Sequence, residues 1–316
     1  MENNKVKSTF SAFGLLIIAV IWGLSFVIMK DAISEAPVLY VLAIRFLLSG
    51  IPLSIIFFKK FFKAKKKDYI RGIIVGCVLI LSYVFQSYGC KYTTASKNSL
   101  LTAIYGVVVP FVSWIIFKKK PKLISVLFTI IAFGGVSLIL IQDLDTVNIG
   151  DILTIIGGLF YAIQIVLVSE FAKDSDPIFL TMIEFLVVGL VLICFAPIEG
   201  KFPTYLFTNP DLLWRILFLG FICTLLCFLF QSILQKYVQV VASGIILSLE
   251  APIGAIGGVL LHNDPITPGM IIGMILLFIA VVGIQTYEPI IERIKTKMNP
   301  PPIEPADEST DEPTNE

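Results

Sequence analysis

Ten apolar runs constrain the fold of this 316-residue chain most strongly. Each run is roughly 17–25 residues long and can therefore cross about 30 Å of hydrocarbon at about 1.5 Å per residue. Soluble domains hold about 45–50% apolar and about 25% charged residues, whereas this chain holds 57% and 15%, with a mean hydropathy of +0.91. The sequence therefore predicts an all-α integral membrane protein. The predicted spans are 11–29, 37–58, 70–90, 96–117, 122–141, 151–170, 178–198, 211–235, 239–262 and 267–287.

A short motif occurs twice, 145 residues apart, with identical internal spacing. Such a duplication indicates two related halves, which we place at 11–142 and 150–288. Each half has five spans, so the second must enter the membrane upside down. The predicted fold is ten transmembrane helices in two inverted five-helix repeats, an arrangement typical of secondary transporters that work by alternating access. The motif comprises Phe85, Gln86, Ser87, Lys91 and Tyr92, and its second copy comprises Phe230, Gln231, Ser232, Lys236 and Tyr237.

Lysine and arginine residues gather on one side of this predicted topology. With the N-terminus inside, 18 of the 24 basic residues lie on the inner side and 5 on the outer side, while Arg45 falls within a span. The bias places both termini of this multi-pass membrane protein in the cytoplasm. The Pro-rich acidic segment 298–316 is predicted to be a disordered cytoplasmic tail.

Polar side chains recur at helical spacing on several spans and predict a substrate pathway. A polar helix face inside the bilayer must turn toward protein or water. Two interpretations follow, a water-filled cavity or hydrogen bonds between packed helices. For Trp22, plain packing is the alternative to a place in a substrate site. The candidate pathway residues are Trp22, Tyr83, Gln86, Asn98, Tyr105, Tyr161, Gln164 and Gln231.

Three of the ionisable residues within predicted spans are candidates for ion coupling or gating. Arg45 lies eight residues into the second span, Glu184 lies at the comparable place in the inverted half, and Glu250 lies near the midplane. Such groups need a partner or water. Glu250 could exchange a proton, and the alternative is a protonated side chain bonded to nearby backbone. Arg45 could be paired structurally or contact substrate, and Arg45 and Glu184 could pair with each other.

The sequence favours no cofactor, no metal site and no nucleic-acid partner. The five cysteines lie in or near spans without metal-ligand spacing, and His262 is the single histidine. There is no Walker motif, so pumping would draw on an ion gradient, with the proton as a candidate partner. The alternative function, an integral-membrane enzyme acting on lipid-linked substrates, would usually show clustered His, Asp or Cys near the bilayer surface. We therefore predict that the chain is not an enzyme, and its expected partners are a small-molecule substrate and the lipid bilayer.

Several short motifs occur in a specific order, and together they carry a family resemblance over residues 11–288. They are Trp22-Gly23, Pro37 with Arg45-Phe46, the run from Tyr92 to Pro110, the basic turn Lys118–Pro121, and Leu249-Glu250 before Pro252. The chain resembles EamA-type members of the drug/metabolite transporter superfamily. The resemblance implies ten helices, plasma-membrane residence and movement of small metabolites, frequently export of amino acids or related compounds. One departure is Ala251, because in that family the glutamate often directly precedes the proline.

Overall fold

The computed structural model describes residues 2–118, 120–121, 123–141, 148–234, 237 and 246–298, and these residues form helices and no strand. Two short 3₁₀ turns, Ala196–Glu199 and Thr204–Phe207, lie in one connection, and a π-helix covers Phe218–Leu226. The α-helices are α1 Glu2–Glu35, α2 Val38–Ile56, α3 Lys59–Lys63, α4 Lys66–Tyr92, α5 Ala95–Thr102, α6 Tyr105–Phe117, α7 Leu123–Ile141, α8 Ile149–Phe171, α9 Pro177–Phe195, α10 Pro210–Leu217, α11 Cys227–Leu234, α12 Glu250–His262 and α13 Pro268–Met298.

Eight helical segments of the described chain are long and apolar enough to cross a membrane, and Pro268–Gly283 forms a shorter apolar helix. These segments coincide with the first eight predicted spans. The start of the ninth predicted span, 239–245, lies outside the described residues, as do most of the acidic connector at 142–147 and the predicted tail beyond Met298. The count of ten spans, the inverted repeat and the disorder of the tail therefore stay predictions.

Capping side chains fix where several helices begin. The Asn148 side chain accepts a hydrogen bond from the Asp151 amide in a reciprocal capping box at the start of α8. The Asp176 carboxylate accepts from the amides of Ile178 and Phe179 at the start of α9, which also has Pro177 in its first turn. The starts of α8 and α9 are therefore set by local contacts.

Two helices are interrupted inside the apolar layer, and one of these interruptions corrects a prediction. The sequence predicts the fourth span as one helix kinked at Pro110, but the helix breaks at Ala103–Ile104, and Pro110 lies inside α6. Asn98 and Tyr105 therefore lie on two successive helices rather than on one continuous face. The second interruption, at Ser248–Leu249, comes directly before α12. Irregular backbone at membrane depth is tolerated where it borders a cavity or is buried in protein.

A close helix contact joins α4 to α8. A Cβ atom added to Gly150 would lie 2.7 Å from the Gly89 carbonyl oxygen, so the two backbones meet directly. A second large contact packs α2 on α9, where the Phe46 and Phe185 rings lie 5.6 Å apart within the main apolar core. These contacts hold α2, α4, α8 and α9 together as one wall of the molecule.

Hydrogen bonds between the connecting segments define two ends of the helix bundle. At the end that we call the Glu199 end, the Glu199 carboxylate accepts from the Leu39 amide and from the Tyr88 hydroxyl. At the opposite end, the Asp176 end, Lys60 pairs with Asp176. The sequence predicts that the Asp176 end is cytoplasmic.

Candidate functional site: a cavity between the helices

A cavity of about 1130 Å³ lies among helices of both predicted halves. The structure places all eleven residues singled out from the sequence on its lining, although their role in transport stays a prediction. They are Trp22, Arg45, Tyr83, Gln86, Asn98, Tyr105, Tyr161, Gln164, Glu184, Gln231 and Glu250.

Arg45 on α2 is buried beside the cavity, with 4% of its surface exposed. Its Nε donates to the Thr224 Oγ1 at 2.8 Å, and its Nη2 lies 3.4 Å from the Tyr83 hydroxyl. The guanidinium carbon lies 5.0 Å from the centre of the Tyr83 ring, within cation–π range. Thr224 belongs to the π-helix, so this irregular segment supplies the acceptor for Arg45.

Glu184 on α9 is also buried and lines the same cavity. Its carboxylate accepts a hydrogen bond from the Gln164 Nε2 at 2.7 Å. Among the described residues, no ion pair within 4.0 Å joins Glu184 to Arg45. The pairing considered from the sequence is therefore absent, and each charge faces the cavity with neutral partners.

Glu250 forms a hydrogen bond with Tyr105 at the place where α6 and α12 begin after the two interruptions. The Tyr105 hydroxyl donates to the Glu250 Oε1 at 2.6 Å. Tyr105 is the first residue of α6 and Glu250 is the first residue of α12. Their separation of 145 residues equals the offset of the sequence repeat. The two interruptions thus bring an acid and its hydrogen-bond donor to one point of the cavity.

A row of tyrosines connects the Arg45 region with the Glu250 region. The ring centres of Tyr83 and Tyr161 are 5.4 Å apart, and those of Tyr161 and Tyr105 are 6.3 Å apart. The Tyr161 hydroxyl donates to the Gln86 Oε1 at 3.3 Å. We call Tyr83, Tyr161 and Tyr105 the tyrosine wall. It gives the cavity an apolar surface with a cation at one end and an acid at the other.

Two predicted pathway residues, Trp22 and Asn98, also have structural contacts. The Trp22 indole Nε1 donates to the Cys223 carbonyl at 2.7 Å, so this residue both packs and lines the cavity. The Asn98 side chain donates to the Gln86 carbonyl at 3.1 Å and to the Thr154 Oγ1 at 2.7 Å. Asn98 is 1% exposed and joins α5 to α4 and α8. Gln231 reaches the lining from α11.

Within the described residues, the cavity extends toward one end of the bundle. It reaches Lys120, Pro121 and Ser169 at the Asp176 end, whereas toward the Glu199 end its lining stops at Met29 and Cys90. Among the described residues, the open side of the cavity therefore lies at the Asp176 end.

Lys30 lies where the cavity stops. Its ammonium group donates to the carbonyls of Cys90 at 2.6 Å, Lys91 at 3.1 Å and Thr93 at 2.6 Å. A second cavity of about 620 Å³, at the Glu199 end, is lined by Lys30, Lys91 and Glu199 among others. Lys30 and the end of α4 thus stand between the two cavities.

A charged cluster next to Lys30 is not evident from the sequence. His262 Nε2 lies 2.7 Å from Asp31 Oδ1, and Arg215 pairs with both Asp31 and Glu35. We call Asp31, Glu35, Arg215 and His262 the outer cluster. In the sequence these residues look like ordinary charges at the ends of apolar runs. Their partners are 180 and 231 residues apart, so no local pattern reveals the cluster.

Comparison with known proteins agrees with this architecture. The model of the EamA-like transporter family matches residues 9–141 and 148–286. An uncharacterized transporter of Archaeoglobus fulgidus is 28% identical over 88% of this chain and 86% of its own length. The uncharacterized transporter YoaV of Bacillus subtilis is 21% identical over 84% of this chain and 92% of its own length. One solved crystal structure of a protein, 14% identical, shares the fold with a TM-score of 0.61 over 90% of this chain and 99% of that chain.

Proposed function

This chain belongs to the EamA-like transporter family, and from that membership we propose that it is a secondary transporter exporting a small metabolite, an amino acid or a related compound, across the plasma membrane. The family, the relatives and the apolar helices support a multi-pass membrane transporter rather than an enzyme. The solute, the direction and the driving ion are the proposed parts.

The observation that carries the proposal is the one-sided cavity between the two predicted halves. Alternating access requires a central site that opens to one side at a time. Here the site opens at the Asp176 end and is separated from the Glu199 end by Lys30 and the end of α4. With the topology predicted from lysine and arginine, this arrangement is an inward-open state, ready to receive a cytoplasmic solute.

The outer cluster supports the same mechanism, because it joins helices that must separate before the site can open outward. Asp31 and Glu35 lie on α1, Arg215 lies on α10, and His262 ends α12. These groups are partly exposed, and exposed ion pairs are worth only about 0–1 kcal/mol each. Such contacts can hold one state without trapping the transporter in it.

We assign proton coupling to Glu250. It is partly accessible from the cavity, and its described partner is a hydroxyl group rather than a cation. A carboxyl group in such a site can take up and release a proton as the solvent contacting it changes. Tyr105 can donate to Glu250 when the acid is ionised.

The identity of the solute and the direction of its transport are tested first, by metabolite profiling of cells that lack or overproduce the protein. An exported compound should accumulate inside cells that lack the protein and rise in the medium of cells that overproduce it. Unchanged internal and external pools of amino acids and related compounds would contradict the proposed solute class. The reverse distribution would contradict export.

Coupling is tested with Glu250→Gln in proteoliposomes that contain the profiled solute. With one proton per solute, each unit of pH difference should change the accumulation ratio of the wild-type protein about tenfold, since one unit is worth about 1.4 kcal/mol. The variant keeps the size and hydrogen bonding of the side chain, so it should still exchange solute yet ignore the pH gradient.

The matched control is Glu170→Gln, the same change at a carboxylate that pairs with Lys173 and does not line the cavity. This control should respond to the gradient like the wild type. If Glu250→Gln also responds normally, Glu250 is a packing residue.

A further inference from the structure

Within the described residues, Arg45 has hydrogen-bonding capacity that no protein group uses. A guanidinium carries five N–H donors in a planar fork. Only the bond to Thr224 and the longer contact with Tyr83 engage them within the described chain. The Thr224 hydroxyl donates to the Leu219 carbonyl at 2.9 Å, which leaves its oxygen lone pair directed to Arg45. The described protein groups therefore orient the guanidinium but engage only two of its five donors.

The other arginines with described side chains each pair with a carboxylate. Arg71 pairs with Asp174, and Arg215 pairs with Asp31 and Glu35. Both are more exposed than Arg45, and both have a carboxylate. In the described part of the chain, no carboxylate lies within 4.0 Å of Arg45. The most buried of these three cations is thus the one that lacks a counter-ion, although a buried charge needs compensation most.

The surroundings of Arg45 favour one kind of compensating group. Arg45 and Lys120 are the basic residues on the described lining, and Lys120 lies at the cavity mouth. Glu184 and Glu250 line the same cavity, but neither carboxylate lies within 4.0 Å of Arg45, so the Arg45 charge is free to balance one negative charge of a solute. The planar fork fits two oxygens in one plane, which is the geometry of a carboxylate. The tyrosine wall continues from Arg45 and offers an apolar surface to the remainder of the solute.

We propose that Arg45 is a binding residue for the carboxylate group of the transported solute, held in position by Thr224 and Tyr83. This inference rests on the proposed transport function and adds the chemical group by which the cavity recognises its solute. When the solute is absent, the cation–π contact with Tyr83 and the cavity water stabilise the guanidinium. When the solute is bound, its carboxylate supplies the missing counter-ion.

The first experiment identifies the solute and tests Arg45 together. Proteoliposomes with the full-length protein are loaded with an aqueous metabolite extract, and the released compounds are identified by mass spectrometry. We expect the compounds released by the wild-type protein to carry a carboxylate. Their release should fall at least about tenfold in Arg45→Gln and recover only partly in Arg45→Lys, because lysine keeps the charge but not the fork.

Two results would overturn the inference: released compounds without an acidic group, or equal release by Arg45→Gln. If the wild-type protein releases no compound, the proposed transport function fails, and this inference fails with it. Release of compounds without a carboxylate would leave transport intact and reject only the role of Arg45.

A second measurement uses the wild-type protein and so does not depend on the folding of a variant. Phenylglyoxal modifies arginine, and peptide mass spectrometry reports each site separately. The transported carboxylates should slow modification of Arg45, and their amide analogues should not. Arg215, at the Glu199 end, is the internal control and should be modified at the same rate with either compound. Equal protection by acid and amide would show that Arg45 does not recognise the carboxylate.

Discussion

In the part of the chain that the structure describes, both ends of the bundle contain ion pairs, yet only the Glu199 end is closed. At the Asp176 end, Lys60 and Arg71 pair with Asp176 and Asp174, so the contacts join α3 and α4 to the connection before α9. All of these contacts lie on the same wall, and Lys120 borders the cavity mouth without a described ion pair to them. At the Glu199 end, the outer cluster and Lys30 join α1 to α4, α10 and α12.

The difference shows that closure depends on which helices an ion pair connects rather than on how many ion pairs exist. A contact within one wall stabilises the fold but leaves the cavity open. A contact between helices on opposite sides of the pathway stabilises one access state over the other. Because each partly exposed pair is worth at most about 1 kcal/mol, such contacts bias the conformational equilibrium and are readily exchanged.

The largest expected effect is a difference between the two ends in how fast a reagent reaches the cavity. Its absence would contradict the comparison. In a variant without the native cysteines, Ser25→Cys should react with a membrane-impermeant thiol reagent at least about tenfold faster from the Asp176 end, a ratio equivalent to about 1.4 kcal/mol. Ser25 lines the cavity, and the contacts of Lys30 separate it from the Glu199 end. Labelling of oriented vesicles from each side measures the ratio.

The control position for this labelling is Ile74→Cys, because the Ile74 side chain is 43% exposed on the outer surface of the bundle, toward lipid. It should be unreactive from both sides. Equal rates for Ser25→Cys from both sides would mean that Lys30 does not close the pathway.

A smaller effect is expected when ion pairs at the Glu199 end and at the Asp176 end are removed separately. Arg215→Ala removes the pairs with Asp31 and Glu35, so it should favour opening at the Glu199 end. Two partly exposed pairs predict about a two- to fivefold increase in the labelling of Ser25→Cys from that end. The matched variant Arg71→Ala removes a pair with Asp174 at the opposite end and should not increase that labelling. The same increase in both variants would mean that either loss loosens the whole bundle.

The smallest effect concerns acid stability at the Asp176 end. Burial raises the pKa of Asp176, but hydrogen bonds from Lys60 and from the amides of Phe179 and Ile178 outweigh burial and hold the pKa below its usual value. A carboxylate with a lowered pKa contributes stability above its unfolded pKa, and this contribution is lost as the pH falls through the folded pKa.

In detergent, thermal unfolding should therefore show Asp176→Asn slightly less stable than the wild type near pH 7. The difference should vanish on acidification below the pKa of the folded state. A difference that persists at acid pH would mean that the substitution acts through the helix cap alone.

Much of the fold was predictable from the sequence because each span needs a long apolar run. The residues that line the cavity were predictable for a related reason, since polar groups such as Gln86 and Gln164 stand out within apolar segments. The interruption at Ala103–Ile104 was not predictable, because neither residue disfavours a helix and the nearby Pro110 indicated another place. In the sequence Lys30 is only a charge at the end of a span, since its acceptors are carbonyl oxygens, which no sequence pattern shows.

The π-helix Phe218–Leu226 gives this transporter a way to rotate part of one helix. Bonding from residue i to i+5 encloses one more residue in each hydrogen-bonded loop than an α-helix does, so the turns are wider. If the wide turns move along the chain, α11 turns about its own axis by up to one residue position, about 100°, with little net loss of backbone bonds. Phe228 and Gln231 on α11 line the cavity, so this rotation would replace them with neighbouring side chains. Twisting of a single segment could thus change the lining without tilting the other helices.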